Sequence, residues 1–190
     1  MTYVSRGGIK LEKALTEFKI DAQGKIAIDV GASTGGFTDC LLQHGAAKVY
    51  AVDVAYGQFD WKLRNDPRVK VVERTNARYL TLSDLGLKTS DIGLCVIDVS
   101  FIALSKIFPA VYNLLAEKGE VIALIKPQFE ARREQVGRGG IVKDPKVREE
   151  VIERVKAEAI KTGFKVLGVI QSPIEGAKGN IEYLIWLAKE

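Results

Sequence analysis

The chain is poor in the side chains on which many enzymes and secreted proteins are built: 190 residues hold one histidine and two cysteines. Cys40 and Cys95 stand far apart, with neither the spacing of a disulfide framework nor that of a thiolate metal site. Both are expected to be reduced, in a cytoplasmic protein, and Cys95, within Ile-Gly-Leu-Cys-Val-Ile, reads as a core residue. No metal is expected. No apolar run approaches the roughly 20 residues that cross a bilayer. The opening Met-Thr-Tyr-Val-Ser-Arg-Gly-Gly lacks the apolar core of a secretory signal, so no membrane partner is expected. Internal repeats and low-complexity segments are absent as well.

What is present suits one soluble domain with a substantial core: 47% hydrophobic and 27% charged residues. The net charge of +4 is unevenly placed. Between Lys126 and Arg148 seven Lys/Arg face three acids, so that window alone carries +4 and the remainder balances near zero. Such a cluster is either a solvated loop or a surface that neutralises phosphates.

Hydrophobic periodicity divides the chain into alternating elements. Ile9–Phe18 reads as a first amphipathic helix. Ile26–Val30, Val49–Asp53, Val69–Glu73, Leu94–Asp98 and Glu120–Ile125 read as strands. Phe37–Gln43, Trp61–Asn65 and Leu104–Leu115 read as helices, the last stopping at Lys118-Gly119. Val147, Val151, Val155 and Ala159 mark a helix opened by Pro145 and closed by Gly163. Lys165–Ile170 and Glu182–Leu187 are the last two strands and, with no helix between them, predict an antiparallel hairpin at one edge. The expectation is a doubly wound α/β domain over residues 1–190, with residues 1–20 packing on the core. Ligands of such sheets lie at the carboxyl ends of the strands. Asp29/Gly31, Asp53, Asp98 and Lys126 all fall there.

The segment Asp29-Val-Gly31-Ala32-Ser33-Thr34-Gly35-Gly36-Phe37 is a strand-to-helix turn stripped of side chains, and three chemistries compete for it. A dinucleotide fingerprint requires glycine where Ser33 stands. Gly31-Ala-Ser33-Thr-Gly35 matches a nucleophile elbow, yet the histidine base must follow the acid in the chain and His44 is the only histidine. S-adenosylmethionine carries no phosphate and needs a glycine turn, a carboxylate for its ribose and polar groups for its ends. Residues Asp29 to Phe37 supply the turn and Asp53 the carboxylate. Asn76 is either an adenine contact or an ordinary cap. Asp98 and Lys126 close adjacent central strands, and partial desolvation is expected to lower the Lys126 pKa. That pair is either a structural ion pair or machinery for activating an alcohol.

Five ordered segments then carry a resemblance over essentially the whole chain. They are Tyr3-Val-Ser-Arg6-Gly-Gly-Ile-Lys10-Leu, Asp29 to Phe37, Val96-Ile-Asp98-Val-Ser100-Phe101, Ile125-Lys126-Pro127-Gln-Phe-Glu130, and Ser172-Pro followed by Gly179-Asn180-Ile-Glu182. Together they resemble the haemolysin A (TlyA) family of FtsJ-like ribosomal RNA 2′-O-methyltransferases. The resemblance implies a Rossmann-like class I S-adenosylmethionine-dependent sheet of seven strands, the last antiparallel. It implies a catalytic Lys-Asp-Lys-Glu tetrad at Lys10, Asp98, Lys126 and Glu182, and cytidine riboses of ribosomal RNA or ribosomal subunits as substrate. Arg6, Arg132, Arg133, Arg138 and Lys143 are the expected RNA contacts, on a loop from Ala131 to Lys143 expected to be flexible. The resemblance implies a small RNA-binding domain ahead of this unit; with Met1-Thr2 directly before Tyr3, the expectation is that this module is absent, in either a fragment or a naturally short relative. The rival expectations are a membrane-lytic protein, from the family's older name, and an RNA-binding relative without turnover.

Overall fold

The computed structural model describes residues 2–190 as a seven-stranded sheet flanked by helices. The strands are β1 (Ile26–Val30), β2 (Lys48–Val52), β3 (Val69–Val72), β4 (Ile92–Ile97), β5 (Leu115–Ile125), β6 (Phe164–Gln171) and β7 (Tyr183–Lys189). Their order is β3-β2-β1-β4-β5-β7-β6. The five strands β1 to β5 are mutually parallel, and β7 pairs antiparallel with both β5 and β6. The edge hairpin expected from the sequence therefore forms, and its second strand inserts between β5 and β6.

Two-residue alternation along the strands explains why the sheet is buried on both sides. In β4, Ile92, Cys95 and Ile97 belong to one core while Leu94 and Val96 belong to the other. In β5, Val121, Ala123 and Ile125 oppose Ile122 and Leu124 in the same way. The first core is covered by α4 (Phe108–Leu114) and α6 (Pro145–Thr162), through Phe108, Val111, Val151 and Val155. The second is covered by α1 (Gly7–Phe18), α2 (Gly36–Gln43) and α3 (Trp61–Arg64), through Leu11, Leu15, Phe37, Leu41 and Leu63. Between these two helical layers the sequence turns back at β1, whose neighbours β2 and β4 leave a crevice at their carboxyl ends. The helix α5 (Pro127–Glu130) is a single turn capping the end of β5.

The apolar stretch after β4 departs from expectation. Instead of one helix over Leu104–Leu115, a 3-10 turn at Leu104–Lys106 precedes α4, and strand β5 starts at Leu115. Pro109 lies in the first turn of α4, where its missing N–H costs nothing, so a second helix start interrupts the pattern. Leu115 then pairs with Ile92, whereas Leu94 pairs with Glu120; the extra residues bulge out at Lys118, whose φ is 61°. The Ala131–Lys143 segment is also more ordered than expected. It contains a 3-10 turn at Arg133–Gln135 and an antiparallel bridge from Gly137 to Ile141.

Leu94 is fully buried in the central strand, so Leu94→Ala is expected to lower unfolding free energy by about 2–5 kcal/mol, transfer and cavity costs together. Urea denaturation measures this, and a loss below about 1 kcal/mol would contradict the packing described.

Candidate active site

Three acids surround the turn after β1. Asp29 is fully buried beneath it, where its Oδ2 accepts the Thr38 hydroxyl at 2.7 Å and its Oδ1 has no partner. Burial first, then the nearby Asp98 and Asp53 charges, push its pKa up to about 7 against the Thr38 hydrogen bond. Asp53 follows β2 and is held by two backbone donors: Ser33 N–H to Oδ2 at 2.7 Å and Ala55 N–H to Oδ1 at 2.8 Å. The first of these secures Ser33 at a left-handed φ of 49°, a conformation uncommon outside glycine. Asp98 follows β4 and borders both cavities of the crevice.

The larger cavity, about 430 Å3, runs between Asp53 and Asn76 on one wall and the apolar Val52, Val99, Ile102 and Ile107 on the other. The smaller, about 240 Å3, lies between the glycine turn and the N-terminal segment, with Ser5, Arg6, Lys10, Thr34 and Phe37 in its walls. Two glycines keep these spaces open. At Gly31 (φ 84°) an added Cβ would overlap the Asp98 carbonyl oxygen, and at Gly36 it would overlap the Ser5 hydroxyl. Glycine is required at Gly31 by the approach of the Asp98 backbone and at Gly36 by the approach of the Ser5 side chain.

Of the residues expected to hold the cofactor, Gly31, Ala32, Ser33, Thr34, Gly36, Phe37 and Asp98 line the smaller cavity, and Asp53 and Asn76 the larger. Asp29 lines neither, and acts from below as a buried charge. Gly35 supports the turn at φ 100° from beside Phe59 and Leu63. Asn76 is the cap that the sequence offered, and it also borders the larger cavity. Its Oδ1 caps the following 3-10 turn by accepting from the Arg78 N–H at 3.0 Å. The elbow reading of Ser33 finds no base. His44 lies at the opposite end of α2, and its ring Nδ1 donates to the Cys40 carbonyl oxygen at 2.8 Å.

The Lys-Asp-Lys-Glu set is resolved into two ion pairs. Lys10 Nζ meets Glu182 Oε2 at 2.5 Å, with side chains 11% and 2% exposed. Lys126 Nζ meets Asp98 Oδ1 at 2.5 Å, off the axis of a hydrogen bond, and donates to Ser100 Oγ at 3.0 Å. Asp98 and Lys10 share the smaller cavity.

Several participants were invisible to sequence reasoning. Gln128 donates from Nε2 to Glu182 Oε1 at 3.1 Å, and its own Oε1 is buried without a partner. Asn180, 2% exposed, accepts from the Val142 N–H and donates to the Gly140 and Ala177 carbonyl oxygens, so it fastens the basic segment to the turn before Glu182. Arg132, Arg133, Arg138 and Lys143 are exposed on that segment, and Arg6 is exposed at the mouth of the smaller cavity. Phe101, 88% exposed, lines the larger cavity, and two further exposed aromatics each carry an arginine on their ring: Tyr56 with Arg74 at 4.3 Å and Tyr79 with Arg78 at 5.3 Å.

The family described as FtsJ-like methyltransferase matches residues 3–189. The chain belongs to it. Among curated relatives of this FtsJ-like chain, YqxC of Bacillus subtilis is 52% identical over 187 residues, 98% of this chain and 66% of that protein. The 16S/23S rRNA (cytidine-2′-O)-methyltransferase TlyA of Mycobacterium tuberculosis is 48% identical over 185 residues, 97% of this chain and 68% of that protein. The chain thus spans about two thirds of the length of these relatives. A solved structure described as a hemolysin from Lactococcus lactis superposes with a TM-score of 0.95 at 52% identity, covering 100% of this chain and 90% of that one. More distant S-adenosylmethionine-dependent methyltransferases, 17% and 13% identical, share the fold with TM-scores of 0.70 and 0.67. Among the described residues, no helix is long and apolar enough to cross a membrane.

The donor set fits S-adenosylmethionine. Two carboxylates facing the cavities, Asp53 and Asp98, with Asp29 buried beneath the turn, disfavour a pyrophosphate but suit a ligand bearing sulfonium and ammonium charges. The apolar sleeve ending at Asp53 and Asn76 suits an adenosine.

The Asp29 pKa has a consequence for stability. Its folded value of about 7 exceeds the ordinary 3.8, so the stability it contributes is present below about pH 4 and is lost as pH rises through 7. Relative to wild type, Asp29→Asn is expected to gain stability progressively from pH 4 to pH 8, by up to about 4 kcal/mol. Denaturation at a series of pH values tests this, and a gap independent of pH would contradict it.

Proposed function

We propose that this chain methylates ribose 2′-hydroxyls of ribosomal RNA, at cytidine, with S-adenosylmethionine as donor. The observation that carries the reading is the presence of two ion pairs, Lys126–Asp98 and Lys10–Glu182, of which Asp98 and Lys10 line the same cavity. A cofactor site alone is common to methyltransferases of many substrates. Two lysines and two carboxylates beside it suit a neutral alcohol acceptor, whose proton must be taken up as the methyl is transferred. The cytidine assignment is supported by the relative's described activity.

Gly31 to Phe37, Asp53, Asn76 and Asp98 would hold the cofactor. When bound, it supplies a methyl group made electrophilic by a positively charged sulfur. The protein's contribution is alignment and proton handling. Asp98 and Ser100 fix Lys126 Nζ, which holds the 2′-oxygen and relays its proton: the ammonium gives a proton to the Asp98 carboxylate and takes that of the hydroxyl as the bond from oxygen to methyl forms and the bond from sulfur to methyl breaks. Glu182 and Gln128 fix Lys10, which presents a second cation toward the acceptor nucleotide. Neither lysine could be buried to this extent without its carboxylate. Exposed Arg6, Arg132, Arg133, Arg138 and Lys143 supply phosphate contacts. Tyr56, Tyr79 and Phe101 offer faces for unstacked bases, the usual mode of single-stranded RNA recognition. A ribosomal substrate implies a cytoplasmic protein.

Lys126→Ala is expected to reduce methyl transfer by about 10²–10⁴-fold, as for loss of a positioned acid–base group. Calorimetric affinity for S-adenosylmethionine is expected to stay within about threefold, because Lys126 lines neither cavity wall that encloses it. Full turnover by this variant with bound cofactor would sink the assignment. RNA affinity is expected to fall linearly with salt on logarithmic axes, and replacing Arg132, Arg133 and Arg138 by Ala to flatten that slope. Salt-independent binding would contradict the basic segment's role.

A further inference from the structure

Glu130 is the last residue of α5, four positions after Lys126, and its carboxylate lines neither cavity of the active site. It turns away from them and accepts the Leu104 backbone N–H on Oε1 at 2.7 Å. Leu104 opens the 3-10 turn that follows Asp98, Ser100 and Phe101. One carboxylate thus joins the segment after β5, which carries Lys126, to the segment after β4, which carries Asp98. Stacking of Phe101 on Phe129, with centroids 4.7 Å apart, joins the same two segments on the solvent side.

The third side is α6. Arg154 donates to the Glu130 carbonyl oxygen, and Arg154 and Glu158 line a cavity of about 90 Å3 with Ala103, Ser105, Val155 and Glu130 itself. Burial pushes the Glu130 pKa up to about 7, against the Leu104 hydrogen bond and the Arg154 charge. The Leu104 N–H and the Arg154 charge hold the carboxylate there against its burial, and departures from a locally consistent fold concentrate where function needs them. The segment it holds is strained: Phe101 has φ 63°, a conformation that costs a bulky residue about 1–3 kcal/mol and persists only under restraint. Between Asp98 and Leu104 no strand partner supplies that restraint.

We propose that Glu130 is a positioning residue for methyl transfer, a clamp that holds the Asp98–Phe101 segment against Lys126 so that their ion pair forms in register with the acceptor oxygen. This rests on the methyltransferase reading. The clamp touches neither reacting atoms nor cofactor walls, so its loss acts on alignment. Misplacement of a reacting group by about 1 Å costs roughly 10²-fold in rate.

The test uses the full chain with tritiated S-adenosylmethionine and ribosomal RNA. Glu130→Ala is expected to lower kcat by at least about tenfold while KM for RNA and Kd for the cofactor stay within about threefold. Glu130→Gln, whose amide oxygen still accepts the Leu104 N–H, is expected to recover most of the rate. Hydrogen exchange at the Leu104 amide is expected to accelerate in Glu130→Ala and not in Glu130→Gln. Should Glu130→Ala unfold, Glu130→Asp carries the test, because it keeps the charge and shortens the reach, and the same fall in kcat is expected. Wild-type kcat in the Ala or Asp variant would overturn the proposal, as would unchanged Leu104 protection. A wild-type chain without transfer, together with Leu104 protection lost in Glu130→Ala, would overturn the methyltransferase reading and leave the clamp itself standing.

Discussion

The Lys10–Glu182 ion pair joins residues 172 positions apart, and burying it is the constraint around which the active-site end of the molecule is organised. Removing two charges from water costs several kcal/mol per ion, and only close, well-satisfied geometry offsets it. That geometry exists because α1 lies against the residue preceding β7, with Gln128 supplying a further donor to Glu182. Once the first helix is fixed there, Ser5 and Gly7 must come up against Gly36, and the smaller cavity has its outer wall. The two ends of the chain thus close over a turn that β1 and α2 build between them.

The division between rigid and irregular parts follows the chemistry. The sheet supplies backbone precision: Gly31 approaches the Asp98 carbonyl, and two N–H groups aim Asp53. The segments after β4 and β5 supply the reacting side chains; the first is a short loop strained at Phe101 and the second a single helical turn, both beyond the sheet ladder. Hydrogen bonds from outside must hold such loops. Ser100 does so for Lys126, Glu130 for Leu104, and Asn180 for the basic segment beyond. A cationic ligand then adds countercharge where Asp53 has only backbone donors and where Asp98 shares Lys126 with Ser100.

Most of the sheet was legible because its strands alternate between two buried faces and its helices are punctuated by Pro145, Gly45 and Gly163. The stretch from Leu104 to Leu115 was not, because its largely apolar residues suit a 3-10 turn, a helix and the first residue of a strand alike, and Pro109 sits where a second helix starts. The glycine turn was legible as a ligand site, and resemblance placed Lys10 and Glu182 beside Asp98 and Lys126, a pairing no local spacing reveals. Asp29 was read as a contact, yet it lies beneath the turn, since a strand residue one position earlier faces the core. Gln128, Asn180 and Glu130 escaped because their partners are groups remote in the chain, and hydrogen bonds of that kind leave no local pattern.

The most direct test of the central claim is the chemical position of the transferred methyl. Ribosomal RNA labelled by this chain from tritiated S-adenosylmethionine is digested with alkali, which cleaves only beside a free 2′-hydroxyl. The account predicts label in alkali-resistant dinucleotides that begin with cytidine. Label released in mononucleotides, on a base, would contradict it.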